Sequence, residues 1–139
     1  AYLWPQPNLP LGQALAPLVS AMADVSDGLL IDAQRIAAAS GCGMAIRLDA
    51  VPLSDALLMV RPDTLETRME AVTAGDDYVL LFTAAPSQRE AIDAVSLRHG
   101  GNAHRIGCCT GDRAIALSWR GKAVPLPARL GFQHGENKP

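Results

Sequence analysis

The stretch Ala23-Asp24-Val25-Ser26-Asp27-Gly28-Leu29-Leu30 decides the fold, because it joins an apolar run to a helical pattern. Residues 21–23 are apolar and strand-like, and the apolar residues after the stretch recur at helical spacing up to Ala37. A helix that begins at Ser26 or Asp27 presents free backbone N–H groups and the positive end of its dipole, a natural position for a phosphate. The stretch therefore predicts a strand-to-helix junction with polar groups at its corner.

Two carboxylates, Asp24 and Asp27, lie beside that predicted helix N-terminus. Mg²⁺ prefers a few carboxylate oxygens together with substrate phosphates, so one hypothesis is a magnesium–nucleotide corner. The alternative is structural: Ser26 caps the helix, Asp27 complements its dipole and Asp24 ends a strand in solvent. Spacing alone slightly favours the structural alternative, and both stay open.

A second polar cluster, Ala74-Gly75-Asp76-Asp77-Tyr78, precedes the continuous apolar run 78–83. That run predicts a central strand covered on both faces. Loops at strand ends often hold ligand contacts in α/β proteins, but solvated acids in a surface turn explain the cluster equally well. Phe132, near the end of the chain, either stacks on a flat ligand or belongs to the core, and the sequence favours the core.

Composition excludes several classes of protein. The 139 residues are enough for one domain, and no apolar run approaches the length of a membrane span. The net charge of −2 comes without a basic stripe, which argues against nucleic acid as a partner. Cys42, Cys108 and Cys109 are odd in number and two are adjacent, so they do not form a disulfide framework. We therefore expect a cytoplasmic protein that binds neither membrane nor nucleic acid.

Strand and helix patterns alternate along the chain, which predicts an α/β (α+β) fold with a mixed β-sheet flanked by helices. The prolines in residues 1–10 predict an extended linker, residues 11–134 the domain, and residues 135–139 a frayed tail. The predicted strands are 22–25, 44–48, 78–83, 103–109 and 114–119. The predicted helices are a proline-interrupted one after residue 10, one ending at Gly41, two capped by Ser54 and Thr64, and one opened by a Ser87–Glu90 capping box.

The motifs, taken together and in order, resemble the thiamine-monophosphate kinase family. The resemblance is carried by residues 24–29, residues 74–78 with the run behind them, Ile106-Gly107 and the closing Gly131-Phe132-Gln133-His134. It spans essentially the whole chain but only the C-terminal half of that enzyme. It implies the C-terminal α/β domain of the aminoimidazole ribonucleotide synthetase superfamily, whose members also have an ATP-binding N-terminal domain.

The resemblance further implies ATP-dependent phosphorylation of thiamine monophosphate to thiamine diphosphate. Asp24 and Asp27 match magnesium ligands, and Ser26 matches a contact to the nucleotide. Asp76 and Phe132 match contacts to the thiamine phosphate substrate. No residue of this chain matches a catalytic acid, base or nucleophile. This assignment is chemically sensible, because phosphoryl transfer requires mainly positioning and cations that neutralise the phosphate oxygens.

This chain departs from the family pattern in two places. Asp76 stands where the family usually has Glu, and Gln133 and Gly135 replace an acid and an aromatic in the closing motif. The resemblance also implies a missing N-terminal domain with most of the nucleotide pocket, and a homodimer when the protein is full length. We therefore expect the isolated chain to be inactive. The alternatives are a superfamily relative acting on another phosphorylated substrate and a non-catalytic ligand-binding domain.

Overall fold

A computed structural model describes residues 8–75, 77 and 79–132 of the chain. The described helices are α1 (Leu9–Leu15), α2 (Leu29–Ser40), α3 (Asp55–Val60), α4 (Leu65–Thr73) and α5 (Arg89–Arg98). The described strands are β1 (Ala21–Asp24), β2 (Gly43–Arg47), β3 (Leu80–Thr83), β4 (Gly107–Thr110), β5 (Ile115–Trp119) and β6 (Lys122–Val124). Among these helices, none is both long and apolar enough to cross a membrane.

Four strands form a mixed sheet in the order β4-β2-β5-β6. Strand β2 lies antiparallel to β4 and parallel to β5, and β6 returns antiparallel to β5. The predicted fold class, a mixed sheet flanked by helices, is confirmed. Strand β6 was missed by the sequence patterns, because it is only three residues long and follows β5 after a two-residue turn.

The remaining two strands, β1 and β3, form a separate antiparallel pair in which Asp24 lies opposite Leu80. The prediction that residues 78–83 form a central strand is wrong for the part that the structure describes, because β3 pairs only with β1 there and is half-buried. The apolar side chains of this run are explained instead by their packing against other parts of the domain. Leu81 packs against the main core, whereas Leu80 approaches α1 at Gly12. Tyr78, at the start of that run, lies outside the described residues.

Helix α2 lies at the centre of the core and links the two sheets. Its buried positions recur at helical spacing, as the sequence predicted, and it packs against β1, β2 and α4. The helix ends at Gly41, which adopts a left-handed conformation (φ 66°) and donates its N–H to the carbonyls at the end of the helix. The buried apolar residues of the core cluster are Val25, Leu29, Leu30, Ala33, Ile36, Ala37, Met44, Ile46, Leu48, Val72 and Leu117.

The predicted helix caps have mixed outcomes. Ser54 and Thr64 each accept a backbone N–H three residues ahead, so the caps of α3 and α4 are confirmed. The capping box of Ser87 and Glu90 is wrong: Pro86 begins a short 3₁₀ turn, and α5 starts only at Arg89 without a side-chain cap. A proline followed by polar residues fits either structure, and the 3₁₀ turn displaces the helix start by one residue or more.

The predicted boundary of the linker also needs correction. Leu9 and Pro10 belong to the first turn of α1, and the Asn8 side chain accepts the Leu11 N–H as its cap. Proline is tolerated at that position because the first N–H groups of a helix have no intrahelical partner. The rest of the predicted linker, residues 1–7, and the predicted tail at 135–139 lie outside the described residues.

One buried arginine ties α4 to the segment after β2. Arg68 is only 8% exposed and donates hydrogen bonds to the carbonyls of Leu48 (2.6 Å) and Val51 (2.8 Å). Its Nε and Nη2 pair with the two carboxylate oxygens of Asp63. The guanidinium also lies 5.2 Å from the centre of the Trp119 ring. The sequence did not indicate this structural role, because its partners come from three separate segments.

Candidate functional site

The turn between β1 and α2, residues 24–28, is called the acidic corner here. The Val25 side chain is buried, and its N–H donates to the Val79 carbonyl (2.8 Å), whereas Asp24 is exposed. Gly28 precedes the helix with φ 128°, and a Cβ there would lie 3.0 Å from the Thr73 carbonyl oxygen. Only glycine fits both the dihedral and the space, so the corner packs directly onto the end of α4.

A buried carboxylate holds the acidic corner from the first turn of α2. Asp32 is 3% exposed, and its Oδ2 accepts the backbone N–H groups of Ser26 (3.0 Å) and Asp27 (3.2 Å). The structural alternative in which Ser26 caps the helix is wrong, because the helix begins after Gly28 and has no side-chain cap from its preceding residue. Asp32 fixes the shape of the turn instead, through the backbone N–H groups of Ser26 and Asp27.

An arginine one turn further along α2 joins this arrangement. Arg35 Nη1 lies 2.6 Å from Asp32 Oδ1, and its Nη2 lies 2.7 Å from Asp27 Oδ2. Hydrogen bonds to Asp27 first and to Asp32 second raise the pKa of Arg35, so it stays a cation. The sequence reasoning missed both Asp32 and Arg35. The signal that could have found them is an acid on the apolar face of α2 with an arginine three residues later.

The other side of the site comes from the end of α4 and from the last described residues. The Phe132 N–H donates to the Asp27 carbonyl at 2.8 Å. A Cβ on Gly131 would overlap that same oxygen, and a Cβ on Gly75 would lie 2.5 Å from the Ser26 carbonyl oxygen. Both glycines therefore allow distant segments to touch the backbone of the acidic corner.

An open cleft of about 350 Å³ lies beside these contacts. Phe132 is 60% exposed at this cleft, so the preference for a core position was wrong. Arg129, which the sequence reasoning missed, lines the same cleft, and an aromatic ring together with a cation suits a flat, anionic ligand. The lining residues are Thr73, Ala74, Gly75, Arg129, Gly131 and Phe132.

Four of the five predicted site residues lie in one region. Asp24, Ser26 and Asp27 form the acidic corner, and Phe132 is hydrogen-bonded to it. Asp76, the fifth, lies outside the described residues, although the preceding Gly75 packs against the Ser26 carbonyl. The structure therefore brings the predicted metal ligands next to one of the two predicted substrate contacts.

The acidic corner fits a partial magnesium site. In the described part of the chain, no group of three or more His, Cys, Asp or Glu side chains is positioned to hold a metal ion. Asp24 and Asp27 offer only oxygen ligands, and Mg²⁺ commonly takes one or two carboxylates and completes its coordination with waters and substrate phosphates. Because Arg35 already contacts Asp27 Oδ2, a cation there would share or displace that ion pair.

Comparison with known proteins shows which family this chain belongs to. Residues 7–120 match the family described as AIR synthase related protein, C-terminal domain. The chain belongs to this family. A thiamine-monophosphate kinase of Caulobacter vibrioides is 34% identical over 137 residues, which cover 96% of this chain and 39% of that protein. This AIR synthase related domain thus spans about two-fifths of the length of the curated relatives that it matches.

Solved structures resemble the same domain. Thiamine-monophosphate kinase from Stenotrophomonas maltophilia K279a superposes with a TM-score of 0.77 at 35% identity, over 86% of this chain and 37% of that one. AaThiL, solved in complex with AMPPCP and TMP, gives a TM-score of 0.68 at 25% identity, over 93% of this chain and 38% of that one. The fold of this AIR synthase related domain is therefore that of the C-terminal part of these enzymes.

The close approach at Gly131 gives a testable prediction for this AIR synthase related domain. Gly131→Ala should lower the free energy of unfolding by about 1–3 kcal/mol, because its Cβ would overlap the Asp27 carbonyl and the Ile31 side chain. Urea unfolding followed by tryptophan fluorescence measures the change. Gly111→Ala is the matched control, since a Cβ there meets nothing within 4 Å. Equal midpoints for the two variants would contradict the contact.

Proposed function

We propose that this AIR synthase related domain is the C-terminal part of an ATP-dependent thiamine-phosphate kinase, which phosphorylates thiamine monophosphate to thiamine diphosphate. The observation that carries the proposal is the hydrogen bond between Phe132 and Asp27, which joins an aromatic, cationic cleft to the acidic corner. The names of the curated relatives and the AMPPCP–TMP complex of AaThiL support the same conclusion.

In this proposal the acidic corner holds magnesium and nucleotide. Asp24 and Asp27 are the magnesium ligands, and the Ser26 hydroxyl contacts the nucleotide. When bound there, Mg²⁺ would neutralise the negative charge on the phosphate oxygens during transfer. Asp32 keeps the turn in shape through the two backbone N–H groups that it accepts, and Arg35 limits the repulsion between the carboxylates. No residue is proposed as a nucleophile, acid or base.

The cleft is the proposed substrate site. The exposed Phe132 ring stacks on a heterocyclic ring of thiamine monophosphate, and Arg129 pairs with its phosphate. Asp76 is the second proposed substrate contact, and Gly75 brings the chain next to the acidic corner just before it. Because the cleft adjoins the corner, the accepting phosphate and the donating nucleotide meet at one place, which is the main requirement of phosphoryl transfer.

The proposal extends to the rest of the protein. The curated relatives are about two and a half times as long as this chain, which leaves room for an N-terminal domain that supplies most of the nucleotide pocket. We further propose that the full-length protein is a homodimer in the cytoplasm, where a reducing environment suits three free cysteines.

Kinase assays on two proteins test this proposal. The full-length protein, given ATP, Mg²⁺ and thiamine monophosphate, should form thiamine diphosphate, and the isolated chain should give no turnover above background. Chromatography with fluorescence detection of the oxidised product measures both. Turnover by the isolated chain would refute the need for an N-terminal domain. Activity of the full-length protein only on another phosphorylated substrate, or ligand binding without turnover, would refute the proposed reaction.

A further inference from the structure

One arginine contacts two carboxylates at the acidic corner from the surface of the domain. Arg35 lies three residues after Asp32 on α2, and this spacing puts both side chains on the same side of the helix. Its Nη1 contacts Asp32 at 2.6 Å and its Nη2 contacts Asp27 at 2.7 Å. The Asp27 side chain is 15% exposed, whereas that of Arg35 is 53% exposed. The guanidinium therefore covers Asp27 Oδ2 on the side from which a dissolved cation would approach.

The two ion pairs of Arg35 differ in what holds the acid. Asp32 is buried, and its other oxygen accepts the N–H groups of Ser26 and Asp27, so this carboxylate keeps its place whether or not a metal is present. A buried carboxylate that lost its cation would be costly, which favours a lasting pair with Arg35. Asp27 is instead a proposed magnesium ligand. Because the guanidinium uses separate nitrogens for the two acids, Nη2 can leave Asp27 while Nη1 stays on Asp32.

We propose that Arg35 is an internal competitor of Mg²⁺, which holds Asp27 in the metal-free domain, releases it when the metal binds and stays paired with Asp32. This inference rests on the proposed function, since it takes Asp24 and Asp27 as the magnesium ligands. The ion pair lowers the apparent affinity for Mg²⁺, because only molecules in which Asp27 is released can bind the metal fully. Arg35 thereby sets the Mg²⁺ concentration at which the acidic corner fills.

A Mg²⁺ titration of the isotope-labelled chain, followed by nuclear magnetic resonance at constant ionic strength, tests the proposal. The backbone amide signals of residues 24–28 report the dissociation constant, even where binding is weak. Arg35→Gln removes the competing cation and should bind Mg²⁺ about three- to ten-fold more tightly than the wild type. Arg89→Gln is the matched control, since it removes the same charge from an ion pair with Asp93 on α5 and should keep the wild-type affinity.

The side-chain Nε–H signal of Arg35 gives a second readout that does not depend on a variant's stability. This signal is assigned by its loss in Arg35→Gln, and in the wild type it should shift with the same midpoint as the amides of the acidic corner. In the double variant Asp24→Asn, Asp27→Asn, neither set of signals should respond to Mg²⁺. Arg35→Lys keeps a cation for Asp32 but lacks the two-armed group, so it should also bind Mg²⁺ more tightly than the wild type.

The possible outcomes separate this inference from the proposed function. Equal or weaker Mg²⁺ binding by both Arg35 variants would overturn the competition, and so would an unmoved Arg35 signal while the amides of the acidic corner respond. Amides that ignore Mg²⁺ in the wild type would overturn the inference together with the assignment of the metal ligands. If the titrations behave as expected but the full-length protein does not phosphorylate thiamine monophosphate, only the proposed reaction is refuted.

Discussion

Exchanging Asp24 and Asp27 together for asparagine should lower kcat/KM of the full-length protein for thiamine monophosphate by at least about a hundred-fold. Asparagine keeps the size of each side chain but removes its charge, so the acidic corner loses most of its attraction for Mg²⁺. Asp27→Asn also loses its ion pair with Arg35, whereas Asp32 still accepts the backbone N–H groups that shape the turn. The fold should therefore survive while the activity falls.

The kinase assay at saturating ATP, repeated over a range of Mg²⁺ concentrations, measures this effect. A double control, Asp55→Asn with Asp93→Asn, removes the same charge from α3 and α5 and should retain wild-type activity. Circular dichroism checks that both double variants are folded. Unchanged activity of the variant at Asp24 and Asp27 would remove these residues from the metal site, and an equal loss in the control would assign the effect to net charge.

Arg68→Met is expected to lower the free energy of unfolding by about 3 kcal/mol. Methionine fills most of the arginine volume but cannot donate, so the Val51 carbonyl loses the Arg68 donor and the Leu48 carbonyl keeps only the Val51 N–H, at 3.3 Å. The Leu48 residue is fully buried, and losing the shorter of the two hydrogen bonds to its carbonyl is costly in such surroundings. The contact of the guanidinium with the Trp119 ring is lost as well.

Urea unfolding of the isolated chain measures the loss, and Arg61→Met is its matched control. Arg61 pairs only with the exposed Glu70 among the contacts of its side chain that the structure describes, and exposed ion pairs contribute little. The control should therefore change stability by less than about 1 kcal/mol. If both variants unfolded at the same urea concentration, the buried hydrogen bonds of Arg68 would not carry the stability assigned to them.

Local patterns predicted the local structure well. The helix that ends at Gly41 and the caps at Ser54 and Thr64 follow from short-range chemistry and are confirmed. The alternation around Met44 likewise predicted β2. In each case the signal lies within a few residues of the element, and no distant contact overrides it. The predicted start of α2 at Ser26 or Asp27 is wrong, because the helix begins at Leu29 and the Asp32 carboxylate accepts the N–H groups of both residues.

Long-range features were beyond the sequence patterns. A continuous apolar run cannot tell a central strand from one of a two-stranded pair held between α1 and the core, which is why residues 78–83 were misjudged. The same limit applies to the site. Asp24 and Asp27 stood out as candidates at the strand-to-helix junction, and Asp32 and Arg35 could have been found from the face of α2. Arg129, by contrast, reaches the cleft only when the last described residues meet the end of α4.

The hydrogen bond between the Phe132 amide and the Asp27 carbonyl has a consequence for synthesis of the protein on the ribosome. It joins residues about a hundred positions apart, and contacts of such separation are slow to form because a long loop must close first. The turn can fold early with α2, but its neighbouring cleft exists only after Phe132 has left the ribosomal exit tunnel. Until then, a nascent chain has Asp24 and Asp27 but lacks the neighbouring cleft that Phe132 and Arg129 line.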